Sequence, residues 1–525
     1  MNNSMCIPYY RRLGFRSGRE DRFAMRFRRA FGLVPLVLLT TATLAAAAVV
    51  PAVTTVTGPS PFVPRCDAGT SAAAYDDAEV EPFVATDPTN ARHLVGVWQQ
   101  DRYPNGGSRG LGTAFSNDGG GTWIRVTAPT FSRCSGGTVA NGGDLERATD
   151  PWVSIGDETT AYRATDTDGV PSVAYQISDS FNDSDTTNAI LVSRSLDGGS
   201  TWQRPVTLLR ENGARDVTFA FSDKESITAD PTRPCFAYAI WDRLVGPAGG
   251  SKASASGFEH TQGYRGPTWF SRTTDCGATW EPARQIYDPG QINQTIGNQI
   301  AVLPNGTLIN AFDQIDNHKN AKGLRGENIA VQSSTDAGLT WSGATIVAKG
   351  LNVDVIAPDS VALRTGDNIP DIAVGTSGRI VLVWQDSRFS GGAHTDVAIS
   401  ESNDGGASWS APTRVNGGVV PGFNPAVEIT STGRLGVGYH ELSASGGVTR
   451  LLASSPSGLI ADLSSTVIAG APVAPPITNA PNARGYFLGD YQGLTASGAN
   501  LVSFFASPNG TGAINRTDIF AVVSP

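Results

Sequence analysis

The feature that most constrains the fold is an eight-residue pattern, Ser/Thr-x-Asp-x-Gly-x-Ser/Thr-Trp, which occurs five times in the chain. The copies occupy residues 116–123, 195–202, 273–280, 334–341 and 402–409. A pattern that returns at intervals of tens of residues is typical of proteins assembled from one repeated structural unit. We therefore expect several similar units in place of a single irregular core.

The residue types of the pattern are those of a tight turn between two strands. Asp and Ser/Thr side chains hydrogen-bond to turn amides, Gly permits a positive φ, and Trp buries a large ring between neighbouring sheets. We predict that the five aspartates stabilise turns and take no part in chemistry: Asp118, Asp197, Asp275, Asp336 and Asp404.

Strand-like apolar runs precede the copies, as in PFVAT, HLVGVWQQ and GLGTAFS before the first one. Three such strands and a fourth after the turn make one propeller blade. The start of the first strand recurs seven times, at Glu81, Asp150, Glu225, Asn298, Asp371, Asn424 and Asp490. The sequence thus predicts an all-β propeller with seven blades, and a ring of six blades is the alternative.

The last unit contains three strand-like runs and ends at the sequence DIFAVVSP. An unpaired strand edge is a liability in a sheet protein, because it offers a template for pairing with another chain. We expect the segment between Val53 and Ala78 to supply the fourth strand of this unit and to close the ring.

The five copies resemble the Asp-boxes, or BNR repeats, of the bacterial sialidases and of other Asp-box propellers. The resemblance implies a propeller whose boxes lie on the face opposite the active site, and an exo-α-sialidase activity on a terminal acidic sugar of a glycan. It also implies an arginine triad for the sugar carboxylate, an Asp acid/base and a Tyr nucleophile assisted by Glu. The chain departs from the family at Glu81-Pro82, where the first blade of sialidases carries an Arg-Ile-Pro motif. A non-catalytic propeller that binds glycans or proteins is therefore the alternative function.

Strands of a blade alternate in direction, so the starts of first strands and the ends of second strands lie on one face. The second-strand ends place Arg102, Arg243 and Arg388 on that face, in blades one, three and five. Guanidinium groups pair with carboxylates at a defined geometry, so we predict that the three converge on an acidic ligand. Alternatively, each pairs with its neighbour in the sequence, Asp101, Asp242 or Asp386.

The same face collects carboxylates from the first strands. Neighbouring negative charge raises the pKa of a carboxyl group and keeps it protonated, as an acid catalyst requires. We predict Asp150, Glu225 and Glu81 as catalytic residues, with the acid/base being Asp150 or Glu225, and Tyr491 as the nucleophile. Predicted ligand-binding residues, besides the three arginines, are Asp101, Asp371 and Asp490.

Composition narrows the range of partners. A net charge of −9 argues against nucleic acid, whose phosphates require clustered Lys and Arg. The cysteine spacing matches no zinc motif and the chain contains five histidines, so we expect no cofactor and no metal. The acidic stretches 165–169 and 179–185 leave a structural calcium ion as a minor alternative. We expect a monomer with a glycan or acidic sugar as its ligand.

The first 52 residues differ in character from the rest. Basic residues at 26, 28 and 29 precede an apolar run over residues 31–50 and then Pro51-Ala52, which predicts a signal peptide with an extended leader. Met25 is a possible true start. Residues 53–525 then form one exported propeller domain, secreted, periplasmic or at the cell surface. The alternative is an uncleaved membrane anchor formed by residues 31–50.

Removal of this leader leaves four cysteines, which predicts two disulfides with three possible pairings. Cys235 opens the second strand of the third blade and Cys276 lies in its box, so both belong to one face of one blade. We predict a bond between Cys235 and Cys276, and by elimination one between Cys66 and Cys134.

Overall fold

The computed structural model describes residues 52–63, 66, 72–159, 171–212, 220–246, 265–291, 293–316, 326–470, 474–509 and 516–525. Within these ranges it contains thirty β-strands, four short 3-10 helices and no α-helix, in agreement with the predicted all-β class. The predicted leader up to residue 51 and the acidic stretch 165–169 lie outside the described residues. No helix in the described ranges has the length and apolar character needed to cross a membrane.

The strands of the first four units follow the repeat. After β1 (Val53–Thr55), unit one contains β2 (Glu79–Asp87), β3 (Asn90–Arg102), β4 (Ser108–Ser116) and β5 (Ile124–Val126). Unit two contains β6 (Arg147–Asp157), β7 (Ser172–Phe181), β8 (Thr187–Ser195) and β9 (Val206–Asn212). Unit three contains β10 (Ala220–Ala229), β11 (Ala237–Val245), β12 (Thr268–Thr273) and β13 (Arg284–Tyr287). Unit four contains β14 (Gln294–Val302), β15 (Leu308–Asp316), β16 (Gly326–Ser334) and β17 (Thr345–Lys349).

The remaining units are interrupted by two short strands, β18 (Leu363–Arg364) and β27 (Tyr486–Phe487), which pair in parallel with each other. Unit five contains β19 (Asp371–Val374), β20 (Ile380–Asp386), β21 (Asp396–Ser402) and β22 (Thr413–Arg414). Unit six contains β23 (Gly422–Ile429), β24 (Leu435–Leu442), β25 (Val448–Ser455) and β26 (Ser464–Ala469). Unit seven contains β28 (Gly493–Ser497), β29 (Asn500–Pro508) and β30 (Thr517–Ser524). The 3-10 helices are Val139–Asn141, Arg388–Ser390, Ile460–Asp462 and Ile477–Asn479.

Every unit is an antiparallel meander, and a single residue pair, Ser108 with Ala148, joins units one and two into one larger sheet. Each first strand contacts the first strand of the next unit, and β28 contacts β2. The seventh unit takes β1 as its outermost strand, with Val53 opposite Val522 and Thr55 opposite Phe520. This is the pairing that the sequence predicts for the segment between Val53 and Ala78.

The five repeat turns have one hydrogen-bonding pattern. In the first, the Ser116 hydroxyl donates to Asp118 at 2.8 Å, while the amides of Thr122 and Gly120 donate to Asp118 and Ser116 at 2.9 Å. The same contacts recur around Asp197, Asp275, Asp336 and Asp404. Hydrogen bonds from the following Thr or Ser lower the pKa of Asp336 and Asp404 to about 2. The aspartates therefore act on the turns, as their residue types predict.

The tryptophan that ends each repeat packs between sheets. The ring of Trp123 lies 5.0 Å from Phe504 of unit seven, and Trp341 lies 5.6 Å from Phe270 of unit three. Buried apolar side chains fill the spaces between adjacent units in the same way. The core of the molecule thus consists of the contacts between neighbouring units.

Both predicted disulfides are present, Cys66 with Cys134 and Cys235 with Cys276. The first attaches the N-terminal segment to the connection after unit one, and the second lies within unit three. Each bond of this kind stabilises a fold by about 2 to 4 kcal/mol. Two disulfides are typical of a protein that folds in an oxidising compartment.

Two connections between units, residues 350–370 and 470–492, are called here the long connections. They contain β18 and β27, and they lie on the face away from the repeat turns, where first strands begin. They provide most of the wall of the site described next.

Candidate functional site

A β-bulge recurs near the start of the first strand in five units. The strand pairing skips two residues in each, and the first of the two adopts a positive φ: Glu81, Asp150, Lys224, Gly297 and Asn424, at 47° to 68°. A bulge bends the strand and re-aims a side chain out of the regular alternation. The bulge thus places one residue of each of these five units at the same position of the fold.

Four ionisable groups meet here, three of them from these bulges and the fourth, Asp490, from the second long connection. The Lys224 ammonium group donates to Asp490 at 2.7 Å and to Asp150 at 2.9 Å, and its nitrogen lies 3.4 Å from Glu81. All four side chains are buried. The structure brings Glu81, Asp150 and Asp490 together around Lys224, and we call this group the Lys224 cluster.

The members of the Lys224 cluster differ in ionisation. Burial opposes ionisation of Asp490, yet Arg364 and Lys224 hold its pKa well below the usual range. Burial likewise opposes ionisation of Asp150, but Lys224 lowers its pKa to about 2. Burial raises the pKa of Glu81 well above its ordinary value despite Lys224. The cluster therefore combines one carboxyl group with a raised pKa, two carboxyl groups with lowered pKa values and one ammonium group.

Lys224 was not predicted, because Glu225 was taken as the equivalent of Glu81 and Asp150. A proline occupies the second bulge position in Glu81-Pro82 and Asp150-Pro151, and also after Asn424. Lys224-Glu225 lacks that marker. Alignment on the bulge, one residue earlier, would have placed Lys224 at the centre.

Arg364 extends the cluster from the first long connection. Its Nε and Nη2 atoms donate to the two carboxylate oxygens of Asp490, at 3.0 and 2.5 Å. Its guanidinium carbon lies 4.7 Å from the centre of the Phe487 ring, and that of Arg102 lies 4.6 Å from the same ring. Arg102 also donates to Gln99 at 2.6 Å, and Gln99 donates to Glu81. Arg102 is therefore linked through Gln99 to Glu81, and its predicted role in ligand binding stays a prediction.

Above the cluster lies a cavity of about 450 Å³, which we call the face pocket. It is bounded by the bulge of unit three and by both long connections. Its charged lining residues are Asp223, Lys224, Asp354, Arg364, Asp367, Arg484 and Asp490. Sequence reasoning missed Arg364, Asp367 and Arg484, since no repeat pattern covers the long connections.

Asp367 is the carboxyl group of the face pocket whose pKa is raised. Burial raises its pKa, and repulsion by Asp354 and Asp490 raises it further. Its backbone carbonyl accepts a hydrogen bond from Asn352 at 2.9 Å, which holds the connection in place. The face pocket therefore contains one carboxyl group with a raised pKa, Asp367, and one with a lowered pKa, Asp490, and a pair of this kind suits acid/base catalysis.

The predicted convergence of the arginines is wrong for Arg243 and Arg388. Arg243 donates to Glu211 at 2.8 Å, on the outermost strand of unit two, and lies over Trp269. Arg388 donates to Asp386 at 2.8 Å and to the carbonyl of Lys349, on the outermost strand of unit four. Arg243 is therefore paired with a carboxylate of an outermost strand and Arg388 with one of its own second strand, and neither is paired at the central first strands.

Tyr491 does not have the environment of a nucleophile. Its ring packs 5.1 Å from Trp152 and 6.4 Å from Phe83, and its hydroxyl donates to the carbonyl of Pro151 at 2.9 Å. Burial and the surrounding carboxylates raise its pKa well above the ordinary value. The prediction of Tyr491 as nucleophile is therefore corrected, since activation requires a lowered pKa or an adjacent base.

Three predicted carboxylates, Glu225, Asp101 and Asp371, belong neither to the Lys224 cluster nor to the lining of the face pocket. Glu225 accepts a hydrogen bond from the amide of Asp179, and burial with repulsion by Asp150 raises its pKa well above normal. Asp101 accepts from Ser60 at 2.7 Å and from Arg109 at 3.1 Å, so it anchors the N-terminal segment. These contacts give Glu225 and Asp101 structural positions in place of the predicted ligand contacts.

Asp371 lies deeper, in a second cavity of about 680 Å³ lined by the first strands of all seven units. It accepts a hydrogen bond from the amide of Val427 at 2.6 Å, and burial raises its pKa to about 7. Glu428 of unit six lines the same cavity, and burial raises its pKa to about 8. Asp371 thus lines a cavity between the first strands and does not line the face pocket.

No group of three His, Cys, Asp or Glu side chains in the described ranges has a metal-binding arrangement. In the acidic stretch 179–185, Asp183 pairs with Arg147 at 2.8 Å and Asp185 accepts the amide of Thr187 at 2.8 Å. These two carboxylates therefore have an ion-pair or hydrogen-bond partner within the protein.

No family model matches the sequence, and no curated protein matches it. Among solved structures, the chain is similar to the Hadza microbial sialidase Hz136, at 13% identity and a TM-score of 0.44, over 82% of this chain and 76% of that one. It is similar to a Penicillium chrysogenum alpha-L-arabinanase at 14% identity and a TM-score of 0.43, over 76% and 98% of the two chains. It is also similar to the intramolecular trans-sialidase from Ruminococcus gnavus, at 12% identity and a TM-score of 0.44, over 72% and 94%. These similarities are too distant to assign an activity, and the site is interpreted from its own residues.

Proposed function

We propose that the chain is an exported glycoside hydrolase acting on a terminal acidic sugar, and that its seven units are the blades of one closed propeller. The observation that carries the activity is the pair of carboxyl groups in the face pocket. Asp367 has a raised pKa and Asp490 a lowered one, and both line the same cavity of about 450 Å³. Most glycosidases use such a pair, with one acid and one ionised carboxylate beside the scissile bond.

Each carboxyl group has one role in this proposal. Asp367 gives its proton to the glycosidic oxygen, which then leaves with the aglycone. Asp490, kept ionised by Arg364 and Lys224, stabilises the positive charge that develops at the anomeric carbon. Water supplies the hydroxyl group of the released sugar, and its proton restores Asp367.

The cations of the face pocket favour an acidic sugar. Lys224, Arg364 and Arg484 line it, and guanidinium and ammonium groups are the usual partners of a sugar carboxylate. Cavities of about 300 to 1,000 Å³ hold small ligands, so the volume suits one sugar ring. These three residues take the place of the predicted trio Arg102, Arg243 and Arg388.

The chemistry proposed here differs from that of the resembled family. Sialidases use a tyrosine nucleophile, whereas the hydroxyl of Tyr491 is committed to the Pro151 carbonyl. The same observation favours a second candidate function, a propeller that binds acidic glycans without cleaving them. Binding and turnover must therefore be measured separately.

The test uses the purified exported protein and fluorogenic glycosides of sialic acid, a hexuronic acid and arabinofuranose. We expect turnover of an acidic glycoside, and a loss of about 10²- to 10⁴-fold in kcat for Asp367→Asn, the usual contribution of a positioned acid. Asp359→Asn is the matched control, because Asp359 lies in the same long connection, is exposed and accepts a hydrogen bond from Tyr486.

The outcomes separate the two candidate functions. Binding of an acidic sugar by calorimetry with no turnover would assign the non-catalytic function. Turnover of the neutral arabinofuranoside alone, or equal activity of Asp367→Asn and Asp359→Asn, would overturn the proposed one.

A further inference from the structure

Arg450 is a fully buried cation on β25 of unit six, with an exposed fraction of 1%. Its Nη1 atom lies 3.5 Å from the carbonyl oxygen of Asn424, whereas its Nε and Nη2 atoms have no hydrogen-bond partner among the described residues. No carboxylate in the described ranges forms an ion pair with it. Segments 471–473 and 510–515, which lie outside the described residues, contain no acidic residue in their sequence.

The two unpartnered nitrogens form one edge of the guanidinium group. That edge is the one with which other arginines of this chain hold a carboxylate. Arg364 donates through Nε and Nη2 to Asp490, Arg388 does so to Asp386, Arg265 to Asp288 and Arg243 to Glu211. In Arg450 the same edge faces no anionic group of the described protein.

The surroundings of Arg450 are built to bury it. Gly438 leaves the space for the guanidinium group, since a Cβ atom there would lie 2.5 Å from Nη2. The ring of Phe505 from unit seven covers it, with the guanidinium carbon 5.5 Å from the ring centre. A buried charge without compensation costs several kcal/mol, and water satisfies hydrogen bonds without neutralising charge.

His440 lies directly opposite Arg450 on β24, with its ring against Phe423. Burial and the positive charge of Arg450 hold the pKa of His440 well below its ordinary value. The imidazole is therefore neutral and adds no second cation beside the guanidinium edge.

We propose that a small monovalent anion, of which chloride is the common example, is held between units six and seven by the Nε and Nη2 atoms of Arg450. The enclosure of Arg450 by Phe505 and the β24 strand excludes a large ligand, so the anion is a resident part of the fold. This site is independent of the activity proposed for the face pocket.

Bromide is the probe, because it replaces chloride and scatters anomalously. Crystals of the full exported protein grown in sodium bromide should give an anomalous peak within hydrogen-bonding distance of the Arg450 Nε and Nη2 atoms. A water molecule in that position and no bromide peak would overturn the proposal, whatever the behaviour of any variant.

Thermal unfolding in chloride and in gluconate, at equal ionic strength, gives a second readout. Binding to the folded state should raise Tm by about 1 to 2 °C for each tenfold increase in chloride above its Kd, for a chain of this size. Arg450→Met should lose that dependence, while Arg243→Met, which removes an arginine with an internal partner, should keep it. Equal chloride dependence in the wild type and Arg450→Met would contradict the site.

Discussion

The repeated sheets and the two long connections contribute in different ways to the same site. The sheets repeat one turn five times and one bulge five times, with nearly constant hydrogen bonds and φ values. The long connections carry no repeat and contain two strands of two residues each, yet they supply Arg364, Asp367, Arg484 and Asp490. The repeated sheets thus determine where the side chains converge, and the long connections supply many of the charged side chains at that position.

The largest expected effect is at Lys224, where the two regions join. Lys224 belongs to a repeated bulge, and its ammonium group compensates Asp150 from the sheets and Asp490 from a long connection. We expect Lys224→Met to lower the free energy of unfolding by about 3 to 5 kcal/mol, because it leaves buried carboxylates uncompensated. Urea denaturation measures this.

Lys349→Met is the control for that measurement, since Lys349 is exposed on an outer strand. A loss no greater than that of the control would mean that the two regions are not coupled through this ammonium group.

The next effect separates the predicted arginines from those of the long connection. We expect Arg364→Ala to raise KM for an acidic glycoside about 10- to 100-fold, because one charged hydrogen-bonding partner contributes about 1.5 to 3 kcal/mol. Arg388→Ala is the matched control, as it removes a similar guanidinium–carboxylate pair outside the pocket. Steady-state kinetics of both variants provide the measurement. A KM that rises for Arg388→Ala and not for Arg364→Ala would favour the arginines that the sequence indicated.

A smaller effect concerns two carboxyl groups of the first strands, Asp371 and Glu428, whose pKa values are raised. The pKa of Asp371 is about 7 and that of Glu428 about 8, both above the values of an unfolded chain. The folded state therefore binds these protons more tightly, so their contribution is present at low pH and is lost as pH rises from about 4 through about 8.

We expect Glu428→Gln to reduce the loss of unfolding free energy between pH 5 and pH 8 by about 1 to 2 kcal/mol, less than full linkage because the side chain lines a cavity. Denaturation at both pH values, with Glu401→Gln as comparison, provides the measurement, since Glu401 is a partly exposed carboxylate paired with Arg379. If Glu428→Gln loses as much unfolding free energy between pH 5 and pH 8 as the wild type does, then ionisation of Glu428 does not destabilise the folded state.

The smallest effect is expected at a repeat turn. Asp197→Ala removes hydrogen bonds to the amide and hydroxyl of Thr201, and we expect a loss of about 1 kcal/mol in stability with unchanged kcat. A drop in kcat at unchanged stability would place the turns in the catalytic machinery and remove the distinction between the two regions.

The part of the molecule that repeats could be predicted from the sequence. The pattern around Asp118 and its equivalents indicated strands, turns and the side of the fold on which Glu81, Asp150 and Asp490 gather. The pairing of Cys235 with Cys276 followed from the same placement. These predictions succeeded because a strand order and its alternation determine which ends lie on one face.

The site residues that were missed or misplaced depend on structural details that the repeat pattern does not contain. A two-residue bulge shifted the central position from Glu225 to Lys224, and no proline marks it there. Arg243 and Arg388 lie at the predicted strand ends, but the nearest carboxylates, Glu211 and Asp386, hold them outward. Asp367 lies in a segment whose path depends on tertiary contacts such as the hydrogen bond from Asn352.

The pairing of β1 with β30 has a consequence for the order of folding. The strand near the start of the described chain and the last strand lie next to each other, with Val53 opposite Val522. This sheet cannot be completed before β30 has been synthesised, and β30 follows units one to six in the sequence. Contacts between residues so distant in sequence also form slowly, since the chain must first close a very long loop. Units one to six can therefore assemble on a growing chain, while unit seven stays incomplete, with an open edge, until β1 and β30 meet.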